Sequence, residues 1–199
     1  MRVDLKIDGL TSLQKMQAFL DPQTFDKAKA SGLRYAAKAT PPAVAKAITA
    51  RYNISSARIK QDTKGPFIRN DEAILLFSRK PPTLLQFGFK EGRRGGPQPG
   101  LGRGLGWGKP QPKGKPATAK ILRAGARLSY PNTFLSKGLP FTRTANGRLT
   151  VEHGPSVGSM FLGGSQFGSV IRTEVQDRIN AQFIVGMQRQ LKAAARGYG

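Results

Sequence analysis

Residues 91–116 hold nine glycines and five prolines, and Glu91 is their one acid. Ordering such a stretch forfeits a large backbone entropy, and its few apolar side chains offer little in return. The chain must therefore build its core from what lies on either side. The expectation is a single domain over 1–199, carrying a flexible basic insertion at about 91–116. A loop of that length in a compact domain is usually a functional arm or a disordered segment.

Charge narrows the choice of partners. Thirty-three Lys and Arg stand against eleven Asp and Glu, a formal net charge of +22. A chain this basic repels itself and is drawn to nucleic acid, an anionic membrane or an acidic protein surface. At 38% hydrophobic it can build a modest core. The absence of cysteine excludes disulfides, thiolate metal ligands and a Cys nucleophile. The first residues alternate polar and apolar without a signal-peptide core, and no run reaches the roughly 18 apolar residues of a membrane span. A protein that is soluble when made, with no membrane partner, is expected.

Val3, Leu5 and Ile7 alternate with Arg2, Asp4, Lys6 and Asp8, which predicts a short strand ended by Asp8-Gly9. Leu10, Leu13, Met16, Phe19 and Leu20 follow helical spacing. Asp21-Pro22 reads as an N-cap and first helical position. A long Ala-rich helix then carries Phe25, Ala28, Leu33, Ala36 and Ala37 inward. Thr40-Pro41-Pro42 predicts a kink or short break, after which Val44, Ile48 and Tyr52 resume the pattern. Ser55 or Ser56 caps a short helical turn over 54–60. Residues 66–69 and 73–78 read as two strands joined by a turn. Leu84, Leu85, Phe87 and Phe89 form another apolar segment.

Beyond the insertion, 118–127 reads as a strand, and Phe134, Leu135, Leu139 and Phe141 continue the apolar pattern. Asn146-Gly147 centres a hairpin over 142–151. Ile171, Val175, Ile179, Phe183, Met187 and Leu191 recur every four residues and mark a helix over 169–195. The predicted class is α+β: a mainly antiparallel sheet packed by long N-terminal and C-terminal helices, with a long Gly/Pro-rich basic loop.

The residues offer little to catalysis. His153 is the one histidine, so a zinc site would rest on carboxylates, which suit zinc poorly. Glu152 adjoins it, but strand neighbours point to opposite faces. The acids are scattered: Asp71-Glu72 sit in a turn, and Glu174 and Asp177 lie near a helix start, where acids are favoured anyway. Gly102-Arg103-Gly104-Leu105-Gly106 lacks the Gly-Lys-Ser/Thr of a phosphate loop. No enzyme activity, catalytic residue, metal site or cofactor is expected. The basic arm has three readings. Arg93, Arg94, Arg103, Trp107, Lys109, Lys113 and Lys115 dock on an acidic neighbouring subunit. Alternatively they contact nucleic-acid phosphates while Trp107 stacks. The third reading is a solvated loop. Subunit docking stands first, because a tryptophan in a purely solvated loop is unusual.

His153-Gly154-Pro155-Ser156-Val157-Gly158-Ser159-Met160-Phe161 leads into the terminal helix and follows Phe141-Thr142-Arg143 and a hairpin. Together with the Ala-rich helix, Tyr52-Asn53-Ile54-Ser55 and Asn132-Thr133-Phe134-Leu135, this order resembles the lambda-type minor tail protein Z family of tailed phages, the tail completion or neck proteins. The likeness covers most of the chain outside the arm, and the turn Gly154, Pro155, Ser156 and Val157 is its most specific piece. Gly154 suits an unusual φ, Pro155 fixes φ and Ser156 can cap the next helix. The resemblance implies a structural virion protein that completes the tail at its head-proximal end and supports head–tail joining. It implies a homo-oligomer, with a hexameric ring favoured, and neighbours among tail terminator, connector and tail tube subunits. The protein would be made in the host cytoplasm and reside in the virion neck. The alternative is a basic nucleic-acid-binding protein contacting phage genomic DNA.

Overall fold

Asp21 opens the first long helix, its carboxylate accepting the Thr24 N–H at 3.1 Å and its carbonyl the Phe25 N–H at 3.0 Å. The first bond caps the orphan Thr24 donor of the helix start, and the second is the first regular bond of the helix. The structure, a computed structural model, describes residues 2–5, 21–69, 72–92, 115–144, 146, 148–162 and 167–196. Four helices are described: α1 (Pro22–Arg51), α2 (Ser56–Asp62), α3 (Val157–Leu162) and α4 (Gly168–Ala195). The strands are β1 (Arg2–Leu5), β2 (Thr63–Arg69), β3 (Glu72–Phe77), β4 (Ala117–Ala119), β5 (Leu128–Tyr130), β6 (Thr133–Ser136), β7 (Leu139–Arg143) and β8 (Leu149–Val151). All paired strands are antiparallel, in sheets of order β1-β3-β2, β4-β5 and β6-β7-β8. The class is α+β, as the sequence predicts. The helix expected over 10–20 lies outside the described residues.

The chain divides into two compact units, one within 1–50, 55–80 and 156–199 and the other within 51–54 and 81–155. In the first, α1 runs without a break through Pro41 and Pro42, correcting the break expected there. Each proline removes a helical hydrogen bond and crowds the preceding turn, a cost of about 3 kcal/mol. Burial on both sides offsets it: Ala36, Ala37, Ala43, Val44 and Ile48 are all buried. The buried Thr40 hydroxyl also donates to the Ala36 carbonyl at 2.7 Å.

The α4 stripe is buried at Ile171, Val175, Ile179, Phe183 and Met187, as its four-residue spacing predicts. It meets α1 where both helices carry glycine. A Cβ on Gly32 would lie 2.8 Å from the Phe183 ring and from Met187 Cγ. A Cβ on Gly186 would lie 2.9 Å from the Gly32 Cα and 3.0 Å from the Ser31 carbonyl oxygen. The Ser31 hydroxyl donates to the Gly186 carbonyl at 3.1 Å. One turn on, Arg189 donates to the Tyr35 hydroxyl at 2.7 Å, with its guanidinium carbon 5.5 Å from that ring's centroid. The two backbones touch because neither carries a side chain at the crossing.

The expected hairpin of β2 and β3 is present. Its register shifts between Lys64 and Phe67, where Gly65 has φ +107°. A Cβ at Gly65 would stand 2.8 Å from the Ile74 carbonyl oxygen. Ser55 caps α2 as expected, accepting the Arg58 N–H at 3.3 Å. Asp62, the one buried charged residue among those described, receives Arg58 Nε at 2.9 Å. Phe77 of β3 lies 5.3 Å from Phe161 of α3, ring centre to ring centre.

The helix crossing gives an ordered pair of expectations. Gly186→Ala drives its methyl into backbone and should cost about 1–3 kcal/mol. Gly32→Ala meets side chains that can turn aside, and should cost less. Urea unfolding of the two variants checks the order.

Candidate assembly site

The strand-rich unit is assembled from short segments that bond through their backbones. Asn53 N–H donates to the Ile121 carbonyl at 2.8 Å, and Arg123 N–H to the Arg51 carbonyl at 2.8 Å, around an isolated bridge of Tyr52 with Leu122. The strand expected over 118–127 is shorter than its apolar content suggests. It stops at Ala119, and residues 120–127 turn back into β5. Their backbones are committed elsewhere, Lys120 N–H going to the Phe87 carbonyl at 3.0 Å.

The apolar segment 84–89 is a 3₁₀ helix, Leu84–Phe87, with Leu84 and Phe87 fully buried. Gly88 ends it at φ +64°, the left-handed conformation glycine takes without strain. Lys90 and Thr118 then exchange both backbone hydrogen bonds, at 2.7 and 2.9 Å. These two residues stand on either side of the basic insertion, so its two ends are tied together.

A glycine and two side chains reinforce the tie. Gly92 lies against the returning chain, where a Cβ would collide with the Lys115 carbonyl oxygen and sit 2.6 Å from the Ala117 nitrogen. Arg127 donates from Nε to the Thr118 hydroxyl at 3.0 Å, and from Nη2 to the carbonyls of Thr118 and Gly88. The Glu91 carboxylate accepts the Leu135 N–H at 3.1 Å. That bond satisfies an outward-facing donor on the edge of the β6-β7-β8 sheet.

Of the arm residues predicted to make contacts, Lys115 is described and is exposed. Arg93, Arg94, Arg103, Trp107, Lys109 and Lys113 lie outside the described residues, as does Gly102-Arg103-Gly104-Leu105-Gly106. The second predicted site, the 154–157 turn, is fully described. Gly154 N–H donates to the Pro82 carbonyl at 2.9 Å. Its φ is not in the positive range, so the reason given for glycine changes from conformation to space: a Cβ would run into the Phe87 ring. The Ser156 hydroxyl accepts the Ser159 N–H at 3.1 Å, capping α3 as expected, and also donates to the Ser159 hydroxyl. Val157 is completely buried. These four residues shape backbone and core.

His153 is exposed, with Nδ1 3.1 Å from the Pro81 carbonyl oxygen. A carbonyl can only accept, so Nδ1 carries the proton. Among the described residues no group of three or more His, Cys, Asp or Glu could hold a metal ion. No described helix is long and apolar enough to cross a membrane. Comparison of the chain with family models, curated proteins and solved structures gave no match.

Tyr130 pairs with Ala117 directly beside the tie. Burial, and then the Glu152 carboxylate, push its phenol above the usual value. The folded chain therefore holds that proton more tightly than the unfolded one. Its contribution is whole below about pH 10 and is lost as pH rises through the folded value. Tyr130→Phe should flatten the alkaline loss of stability, read by urea unfolding on either side of about pH 10. Arg127→Ala should speed hydrogen exchange at the Lys90 and Thr118 amides and cost about 1–3 kcal/mol. Arg127→Lys, which lacks the planar fork, should restore only part of the protection.

Proposed function

We propose that the chain is a structural virion protein that completes a phage tail at its head-proximal end and supports head–tail joining. In this reading it acts as an oligomeric neck or ring subunit, beside tail terminator, connector or tail tube subunits. The observation that carries an assembly role is the tied base of the basic insertion. A segment with this composition, held at both ends by Lys90, Gly92, Thr118 and Arg127, is suited to engage a neighbour from a fixed point. Anchoring the ends reduces the freedom lost when the segment orders on a partner. The resemblance in motif order through Gly154-Pro155-Ser156-Val157 supplies the phage context. Cyclic assembly suits a tail, because head-to-tail contacts that close make rings.

A second reading is a nucleic-acid-binding protein contacting phage DNA, and the net charge of +22 favours it. The two differ in salt dependence. DNA binding by the isolated protein with a steep salt slope would favour the second.

Deleting the gene should leave filled heads and finished tails that fail to join, seen by electron microscopy of the lysate. A normal yield of infectious particles would overturn the neck role. Removing residues 93–112 while keeping Gly92 should leave the thermal midpoint within a few degrees, since the tied base is retained. Incorporation into particles should fall, and unchanged incorporation would return the segment to a solvated loop.

A further inference from the structure

The β6-β7-β8 sheet carries an apolar face that is half-buried along its central row and exposed at both ends. Register places Phe134, Phe141 and Val151 in one cross-strand row on one face, with Leu149 beside Arg143 on the same face and Leu139 at its other end. None of these residues is buried, and Leu139 and Leu149 are 37% and 49% exposed. The opposite face carries Thr133, Leu135, Pro140, Thr142 and Thr150. There Thr133 and Pro140 are buried, and the Thr133 and Thr142 hydroxyls bond at 2.6 Å. An antiparallel sheet with one packed side normally packs its apolar face and wets its polar one. Here the buried residues lie on the hydroxyl-rich face, although its Leu135 is 40% exposed, and the apolar face is left part-covered for a partner.

Charge identifies the occupant. Arg143 stands on the apolar face, Lys137 lies in the β6–β7 turn and Arg148 precedes β8. All three are exposed, and their side chains have no hydrogen-bond or ion-pair partner among the described residues. The face itself carries no acid. We propose that it docks a partner protein segment that presents leucine-like side chains flanked by carboxylates. A second copy fits poorly, because it would set these cations against their like. Nucleic acid fits poorly as well: the most exposed apolar groups are leucines, whereas base stacking needs open aromatic rings. The inference goes beyond the neck reading and does not depend on it.

The test uses the full chain and two ten-residue peptides, one alternating leucine with glutamate and the other leucine with lysine. Calorimetry should show binding of the glutamate peptide alone, weakened by salt. Methyl NMR shifts on adding it should centre on Leu139 and Leu149. Leu139→Ser with Leu149→Ser should weaken binding by about tenfold. Both leucines are exposed, so an unchanged thermal midpoint verifies the fold of that variant. Arg143→Glu with Lys137→Glu should reverse the preference toward the lysine peptide. Equal binding of both peptides, no binding, or binding untouched by the leucine substitutions would overturn the proposal. Displacement of the peptide by oligothymidine that the leucine variant still binds would give the face to nucleic acid. Self-association abolished by Leu149→Ser would give it to a second copy. Either result also overturns the proposal.

Discussion

Two backbone hydrogen bonds, exchanged between Lys90 and Thr118, hold together the parts of the strand-rich unit on either side of the insertion. They join chain segments separated by the insertion, and every contact that spans it must meet the loop-closure entropy of that separation. Once they form, β4 is placed to pair with β5, and Arg127 can reach the carbonyls of Gly88 and Thr118. The Glu91 carboxylate can then meet Leu135. The short strands here have little strength of their own. They gain order because each is bonded to a segment that is itself already fixed.

The helical unit rests on a different principle. Its long helices contain many alanines, and their closest contact is made where side chains vanish altogether, at Gly32 and Gly186. Close backbone approach brings many weak dispersion contacts into range at once. Burial, in turn, explains how α1 tolerates two consecutive prolines. The residues around them are held by burial on both sides, so local propensity is overruled.

What could be read from the sequence follows the range of the interaction involved. Asp21 with Pro22, Ser55 and Ser156 are caps, and capping is a matter of three residues, so all three were legible. The β7–β8 hairpin around Asn146 and the α4 stripe were likewise legible, being set by turn chemistry and period. The turn of Lys137 and Gly138, both at positive φ, was less so, because lysine carries no turn signal. Arg127 was invisible as a clamp: its partners lie 9 and 39 residues away. Gly32 and Gly186 carry no local signal in the sequence, because each is needed only where it meets the other helix. Gly154 was legible as a required glycine, but for the wrong reason, since the Phe87 ring that excludes a side chain is remote in sequence.

Glu91, the one acid of the basic stretch, bonds to the outward N–H of Leu135. An unpaired strand edge is a template on which another chain can crystallise, copy after copy, into a fibre. A carboxylate cannot continue such a ladder, because it accepts hydrogen bonds and offers no donor to the next strand. Pairing of a further strand through this donor of β6 is therefore blocked. One route to open-ended polymerisation is thus narrowed by a single side chain.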